Sequence, residues 1–286
     1  MTEAGVGVRV TWLGHSTVVV DAGGVRLITD PLLRRHAGLL RRRGAIPAEP
    51  AWRGADAALL SHLHHDHAEP GSLRLLGDVP VLTAPANARW LRARGIRGVG
   101  LGDGWHAVQP RSGGPVGTAG AEEAGWPEAA VQVRLAPAVH GHRPMPHRPN
   151  AAVGHLVRVR PPGPGGTTAD ATTLWAVGDT EHFPGMAHLA ERAGGRVDVA
   201  LVPVSGWGPR LSGGHLGPAE AARVCAEVGV RVAIPVHWGT LHAPGGQHVP
   251  RGWMDHAGAA FEAAVRREAP GTQAVVLRPG ESWSGP

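Results

Sequence analysis

The chain has 286 residues, of which 42% are hydrophobic and 18% are charged, and these proportions fit a globular protein and exclude wholesale disorder. A formal net charge of +5 is too mild to predict nucleic-acid binding, and a single cysteine excludes an intrachain disulfide framework. No apolar stretch approaches the roughly 18 residues of a membrane helix, and residues 1–10 lack the pattern of a signal peptide, so we expect a cytoplasmic protein. We expect residues 1–286 to form a single domain.

The first part of the chain has the pattern of a β-meander. Residues 6–13 alternate and are rich in valine, and strands over 17–21 and 25–29 flank the tight turn at Gly23-Gly24. Two arginine clusters follow, at Arg34-Arg35 and Arg41-Arg42-Arg43, which we interpret as a solvated loop, with contact to an anionic substrate or surface as the alternative. A short apolar strand over 57–60 then leads directly into a histidine-rich segment.

Strands and helices alternate along the rest of the chain. Further strands are predicted over 79–82, 99–101, 105–108, 131–136, 154–159, 174–177, 199–204, 232–236 and 274–277, with helices over 70–76, 86–94, 218–228 and 255–268. Asp255 is placed to cap the last helix. Residues 110–127, 141–150 and 161–171 are rich in Gly, Pro, Ala or His and read as insertions. This order favours an α/β layered sandwich, with two sheets face to face and helices outside.

The histidines are the most informative feature of the composition. The chain contains 18 of them, and four fall within six residues, at His62, His64, His65 and His67. With Asp66 they follow the pattern His-x-His-x-Asp-His at the end of a predicted buried strand. Imidazole and carboxylate are ligands that divalent transition metals prefer, and so many ligands in one loop suit two metals better than one.

A site for two metals requires more ligands, and the sequence offers three at predicted strand ends. His140 follows the strand-like segment that ends at Val139, Asp179 follows a strand and a glycine, and His237 ends the segment Ala233–Val236. Each of these alone could equally be structural. Together with the histidine cluster they would complete two coordination shells.

The motifs resemble those of the metallo-β-lactamase superfamily. The narrower resemblance is to the branch containing N-acyl-phosphatidylethanolamine-hydrolysing phospholipase D, with ascorbate-6-phosphate lactonases as more distant relatives. The residues that carry it are Trp12–Thr17, Thr29–Pro31, Ser61–His67, Val177–Thr180, His215–Ala221, Ile234–Thr240 and Gly280–Ser282.

The resemblance implies a fold, a ligand set and a cofactor. The fold is a four-layer αββα sandwich with the site at one edge of the sheets. His62, His64 and His140 would bind the first metal, Asp66, His67 and His237 the second, and Asp179 would bridge the two. The usual metal is zinc, although manganese and iron members occur.

The resemblance also implies roles for residues around the metals. Two cations would lower the pKa of a shared water molecule toward neutrality. The resulting hydroxide would attack carbon or phosphorus, so no protein nucleophile is needed. Asp66 and Asp179 would then be catalytic as ligands, and His215 is a candidate to contact substrate or protonate the leaving group. From its own position, at a strand end before Pro31, Asp30 is a candidate to orient a histidine ligand, with a simple turn residue as the alternative. His15 is a candidate for substrate contact or for packing, and His182 is a candidate for the pocket. For His215, a capping or solvent-exposed role is the alternative.

The substrate stays open at this point. A phosphodiester such as a phospholipid head group is favoured by the resemblance, and a lactone or other cyclic ester or amide is the alternative. An iron-dependent redox protein or a non-catalytic metal-binding protein of the same fold would belong to another class. We expect a small-molecule or lipid-like substrate, no bound nucleic acid and no transmembrane segment. Peripheral contact with a membrane is compatible with the sequence. The oligomeric state is not predicted by the sequence.

Overall fold

A computed structural model describes residues 7–111, 130–141, 148–149, 151–160 and 170–285 of the chain. Most of the three predicted insertions, over 110–127, 141–150 and 161–171, lie outside the described residues. The strands are β1 (Val8–Gly14), β2 (Thr17–Ala22), β3 (Val25–Thr29), β4 (His36–Ala37), β5 (Leu40–Arg42), β6 (Ala57–Leu59), β7 (Val81–Thr83), β8 (Gly98–Gly100), β9 (His106–Val108), β10 (Val131–Pro137), β11 (Val153–Val159), β12 (Thr172–Ala176), β13 (Val199–Pro203), β14 (Val232–Val236), β15 (Leu241–His242), β16 (Gln273–Ala274) and β17 (Ser282–Gly285). The helices are α1 (Pro70–Leu75), α2 (Pro85–Arg92), α3 (Leu189–Ala193), α4 (Pro218–Val228) and α5 (Ala257–Glu268).

Two seven-stranded sheets and one small sheet organise these elements. The first large sheet has the order β17-β1-β2-β3-β6-β7-β8, the second has the order β16-β14-β13-β12-β11-β10-β9, and β15-β5-β4 form the third. Antiparallel pairs join β17, β1, β2 and β3, whereas β3, β6, β7 and β8 run parallel. The turn between β2 and β3 uses Gly23 and Gly24, both at positive φ, as the sequence predicts.

The two large sheets and the helices on their outer faces form four layers. One apolar cluster lies between the two large sheets and includes Trp12, Leu27, Val133 and Leu201. The outer face of the first sheet packs against α1 and α2, and the outer face of the second packs against α3, α4 and α5. The expected αββα sandwich is therefore confirmed.

Local chemistry explains where several helices begin and end. Proline occupies the first position of α1, α2 and α4, where its missing N–H costs nothing because that group has no partner inside the helix. Gly229 ends α4 in the left-handed conformation. Among the described residues, no helix has the length and apolar character needed to cross a bilayer.

The structure corrects the sequence interpretation in four places. Arg42 is not part of a solvated loop, because it lies in β5 and is 3% exposed. Asp255 does not cap α5, which begins after His256, and instead accepts a hydrogen bond from Arg43. The last strand of the second sheet is limited to Gln273–Ala274, and β17, which pairs with β1 across almost the whole chain, was not predicted.

Candidate metal centre

The seven predicted metal ligands come together at one edge of the sandwich. His62, His64, Asp66 and His67 lie in the loop after β6, while His140, Asp179 and His237 follow β10, β12 and β14. Strands β12 and β14 belong to the parallel part of the second sheet, and β10 points the same way because two antiparallel pairings separate it from β12. Polar groups that follow the carboxyl ends of such strands therefore meet in one crevice.

The first group consists of His62, His64 and His140. Their ring centroids lie 4.5 to 4.8 Å apart, and His64 Nδ1 faces His140 Nε2 at 3.0 Å. One ligand atom from each of the three residues falls within 4.8 Å of the others. This spacing allows the three histidines to bind one shared cation.

The second group consists of Asp66, His67 and His237. Asp66 Oδ2 lies 3.6 Å from Nε2 of both histidines, and those two Nε2 atoms lie 3.2 Å from each other. His67 and His237 are fully buried. Their nitrogens therefore face each other away from solvent.

Asp179 lies between the two groups. Its Oδ2 is 3.1 Å from His67 Nε2 and 3.2 Å from His237 Nε2, on the side of the second group. The same oxygen is 3.9 Å from Nε2 of both His62 and His140 in the first group. One carboxylate can thus reach both groups.

The other ring nitrogen of four histidines is held from outside the cluster. His140 Nδ1 donates to Gly214 O at 2.7 Å, and His237 Nδ1 donates to Ser205 O at 2.8 Å. His67 Nδ1 donates to Asp30 Oδ2 at 2.8 Å, and His62 Nδ1 donates to Ser61 Oγ at 2.9 Å. These bonds place the proton on Nδ1, so the Nε2 lone pair points into the cluster, which is the arrangement typical of metal-binding histidines.

Asp30 is the principal outer support. Its carboxylate accepts hydrogen bonds from the backbone N–H and the hydroxyl of Ser61, both at 2.7 Å, and from His67. The neighbouring turn at Gly178 has a φ of +70°, and a Cβ there would lie 2.9 Å from the Ser61 side chain and 2.9 Å from Val153 O. Only glycine therefore allows β12 to lead into Asp179 this close to Ser61.

The arrangement of these nitrogen and oxygen atoms suits bound cations better than it suits the protein alone. Neutral His67 and His237, with Nδ1 protonated, would direct two lone pairs at each other across 3.2 Å. Nitrogens that share one zinc ion at about 2.0–2.1 Å lie at roughly this separation. Within the described part of the chain, the buried atoms His62 Nε2 and Asp179 Oδ1 have no hydrogen-bond partner. Each of these observations is what a metal-binding cluster requires.

The electrostatics of the second group also favour positive charge. Burial raises the pKa of the Asp66 and Asp179 carboxyls, but the neighbouring histidines hold both pKa values well below their ordinary range. Burial lowers the pKa of His237, yet Asp179 and Asp66 raise it to about 9 overall. In the first group burial dominates and lowers the pKa of His64 to about 4. The second group therefore attracts protons or metal cations, while the first group is ready to bind metal without losing a proton.

His15 lies beneath the cluster rather than at its mouth. It is 1% exposed, its Nε2 donates to Asp66 Oδ2 at 3.0 Å, and its ring centroid is 4.1 Å from that of His237. Burial lowers the pKa of His15 to about 3, so the imidazole is neutral. This hydrogen bond orients Asp66 within the second group.

His215 and His182 have different surroundings. His215 Nε2 lies 3.4 Å from Asp179 Oδ2, and its ring centroid is 4.8 Å from that of His140. His182 does not join the cluster: its side chain is exposed and lies 2.8 Å from Glu227 Oε2 on α4. The chain turns outward here because Thr180 is buried and hydrogen bonds to Val139 and Glu181, which leaves His182 on the surface.

A cavity of about 850 Å³ opens beside the cluster. His64, Asp66, His140, Asp179 and His215 line its polar floor. Two large exposed side chains, Leu39 at 85% and Trp207 at 39%, stand at its walls. The sequence interpretation missed Leu39, whose only signal is an apolar Leu-Leu pair between two arginine clusters.

The sequence of this chain is similar to sequences of known metal-dependent hydrolases. Residues 25–238 match the family model described as the β-lactamase superfamily domain. A UPF0173 metal-dependent hydrolase from Myxococcus xanthus is 30% identical over 82% of this chain and 71% of its own length. N-acyl-phosphatidylethanolamine-hydrolyzing phospholipase D 1 from Caenorhabditis elegans is 25% identical over 82% of this chain, and the match spans 64% of the worm protein.

The fold has relatives among solved structures. Igni18, a metallo hydrolase from the archaeon Ignicoccus hospitalis, superposes with a TM-score of 0.68 at 17% identity, over 98% of this chain and 99% of its own. This likeness supports the fold, and the family match covers most of the chain. The chain belongs to the β-lactamase superfamily domain family, and it is a metal-dependent hydrolase of the metallo-β-lactamase superfamily.

Proposed function

We propose that the protein hydrolyses its substrate with two divalent metal ions, zinc in the first instance. His62, His64 and His140 would hold the first ion, Asp66, His67 and His237 the second, and Asp179 would contact both. The observation that carries this proposal is the position of Asp179 Oδ2, which lies within 3.9 Å of histidines from both groups. Manganese and iron suit the same nitrogen and oxygen ligands.

Bound metal ions would supply Lewis acidity, which polarises a substrate oxygen and makes water a nucleophile near neutral pH. The residues of this chain orient the reactants. Asp30, Ser61 and His15 hold the ligand side chains in place through hydrogen bonds. His215 faces the cavity beside Asp179 and His140, where its imidazole can donate a proton to the leaving group.

For the substrate we favour a phosphodiester that carries an apolar group. Cavity volume and the exposed Leu39 and Trp207 support an apolar arm, because large apolar side chains are rarely left in water without a partner. The similarity to a phospholipase D from C. elegans supports the phosphodiester.

A neutral cyclic ester or lactone is the second candidate. Among the described residues that line the cavity there is no arginine to contact a phosphate. A substrate without charge at the reacting group would not need one.

The test compares two chromogenic substrates on one metal-loaded preparation. Bis-(p-nitrophenyl) phosphate reports phosphodiester cleavage, and p-nitrophenyl butyrate reports cleavage of a neutral ester. We expect about two metal ions per chain, loss of activity on chelation, and recovery with zinc or manganese. His215→Ala should lower kcat, whereas the matched control His182→Ala, on the exposed surface, should not. Full activity after complete metal removal contradicts the proposal.

A further inference from the structure

Arg42 is a buried cation without a carboxylate partner among the described residues. It is 3% exposed, Nη1 donates to Leu13 O at 3.0 Å, and Nη2 donates to Leu32 O at 2.6 Å. Its Nε is buried and has no hydrogen-bond partner in the part of the chain that the structure describes. A guanidinium held only by carbonyls is costly to bury, so its retention calls for a specific role.

The two carbonyls belong to the turns that carry Asp30 and His15. Leu13 lies two residues before His15, and Leu32 lies two residues after Asp30. Gly14 makes the first contact possible, because a Cβ at that position would lie 2.6 Å from Arg42 Nη1. Arg42 thus joins two loops that are far apart in sequence.

Both turns are conformationally strained. Among the described residues, only three that are not glycine have positive φ: His15 at 54°, Asp30 at 34° and His237 at 63°. Such conformations persist only where surrounding contacts enforce them. The guanidinium supplies such contacts next to two of the three.

The third strained residue is connected to the same strand. Arg42 in β5 pairs with Leu241 in β15. The backbone N–H of the next residue, Arg43, donates to Thr240 O at 2.7 Å. The Thr240 hydroxyl accepts from His15 N at 2.7 Å, and His237 N donates to His15 O at 2.9 Å. Hydrogen bonds therefore connect β5 and the following residue, directly or through one intermediate, to the segments that carry all three strained positions.

These positions serve the second metal group. His15 holds Asp66, Asp30 holds His67, and His237 is itself a member. In the first group, His140 is held by Gly214, on a different segment. Ser61, which contacts both Asp30 and His62, is one link between the Arg42 contacts and the first group.

We propose that Arg42 is a positioning residue that holds the strained turns of His15 and Asp30, so that Asp66, His67 and His237 form a preorganised site for the second metal ion. This inference rests on the proposed two-metal function. It assigns to Arg42 a selective effect on one of the two metal sites, rather than a general effect on the fold.

The experiment measures metal binding by Arg42→Met and Arg42→Lys. The metal-free full-length protein is titrated with zinc against a chromophoric chelator, which resolves two dissociation constants, and circular dichroism checks the fold. In Arg42→Met the second equivalent should bind about 10- to 100-fold more weakly, as is typical when support of a ligand is lost. The first equivalent should change less than about threefold. Arg42→Lys, which keeps the charge and can reach one carbonyl, should lie between wild type and Arg42→Met.

The matched control is Arg41→Met, the exposed neighbour on the same strand, which should bind both equivalents like wild type. If Arg42→Met does not fold, Thr240→Val provides a second variant, because it removes the acceptor for His15 N. Unchanged affinity for the second equivalent, or an equal loss of both, overturns the role of Arg42. A wild-type protein that binds one ion only refutes the two-metal function instead, so the two failures are distinguishable.

Discussion

Replacement of Asp30 by asparagine tests how strongly the outer hydrogen bonds control the metal centre. The asparagine oxygen can keep the bond from Ser61 N, but the amide NH₂ then takes the place of Oδ2, which accepts from His67 Nδ1 at 2.8 Å. Two donors would face each other, so His67 must move its proton to Nε2, the atom that faces the cluster. A hydrogen bond to a charged group contributes about 1.5–3 kcal/mol. Its loss corresponds to roughly 10- to 150-fold weaker binding of the metal that His67 holds.

The assay is competition with a chelator on the metal-free protein, with thermal unfolding recorded in parallel. The control is Asp56→Asn, because Asp56 is also a buried carboxylate but accepts from Arg26 N and Arg111 N, away from the cluster. Asp56→Asn should alter stability and leave the metal affinity unchanged. A folded Asp30→Asn protein with metal affinity within twofold of wild type would refute the reasoning.

Three further predictions concern the turn at Gly178, the protonation of the second metal group and the wall of the cavity. Gly178→Ala should lower the free energy of unfolding by about 3 kcal/mol or more in urea, since it adds close contacts to a positive φ, whereas Gly24→Ala, in open space, should lose only about 1–2 kcal/mol. Calorimetric titration at pH 7 in buffers of different ionisation enthalpy should show proton release for the second zinc ion, because the pKa of His237 is raised to about 9, and affinity for that ion should rise with pH up to that value. Binding of the first zinc ion should release no proton from His64, because burial lowers its pKa to about 4. Proton release on binding of the first ion would contradict the proposal that His64 binds it as a neutral imidazole. Leu39→Ser should raise KM about 3- to 10-fold for a long-chain p-nitrophenyl ester without changing stability, while Leu75→Ser on α1 should not; equal KM values would exclude Leu39 from substrate binding.

The sequence was sufficient for the features that depend on local pattern. Alternating valines predict β1, the Gly23-Gly24 turn between apolar segments predicts β2 and β3, and His-x-His-x-Asp-His after an apolar strand predicts a metal-binding loop. Both depend on residues within a short window. The layered fold followed because the order of strands and helices limits how apolar faces can be covered.

The parts that sequence reasoning missed depend on contacts between distant segments. Strand β17 is short and contains glycine, and it is a strand only because β1 offers a free edge some 270 residues earlier. Arg42 looks like any arginine of a basic cluster, and only its contact with Leu13 and Leu32 distinguishes it from Arg41. His182 shows the reverse error, since proximity in sequence to Asp179 does not decide which way a side chain points.

The architecture of the centre implies that protons and metal ions compete for it. Two buried carboxylates favour positive charge beside them, and Asp179 and Asp66 raise the pKa of both His67 and His237 despite burial. Yet His67 and His237 lie 3.2 Å apart at Nε2, so protonation of both would place like charges in contact. A metal ion removes this conflict and also neutralises the carboxylates. Because an ion that binds only the folded chain adds to its stability, the strain at His15, Asp30 and His237 should be best tolerated in the metal-loaded protein.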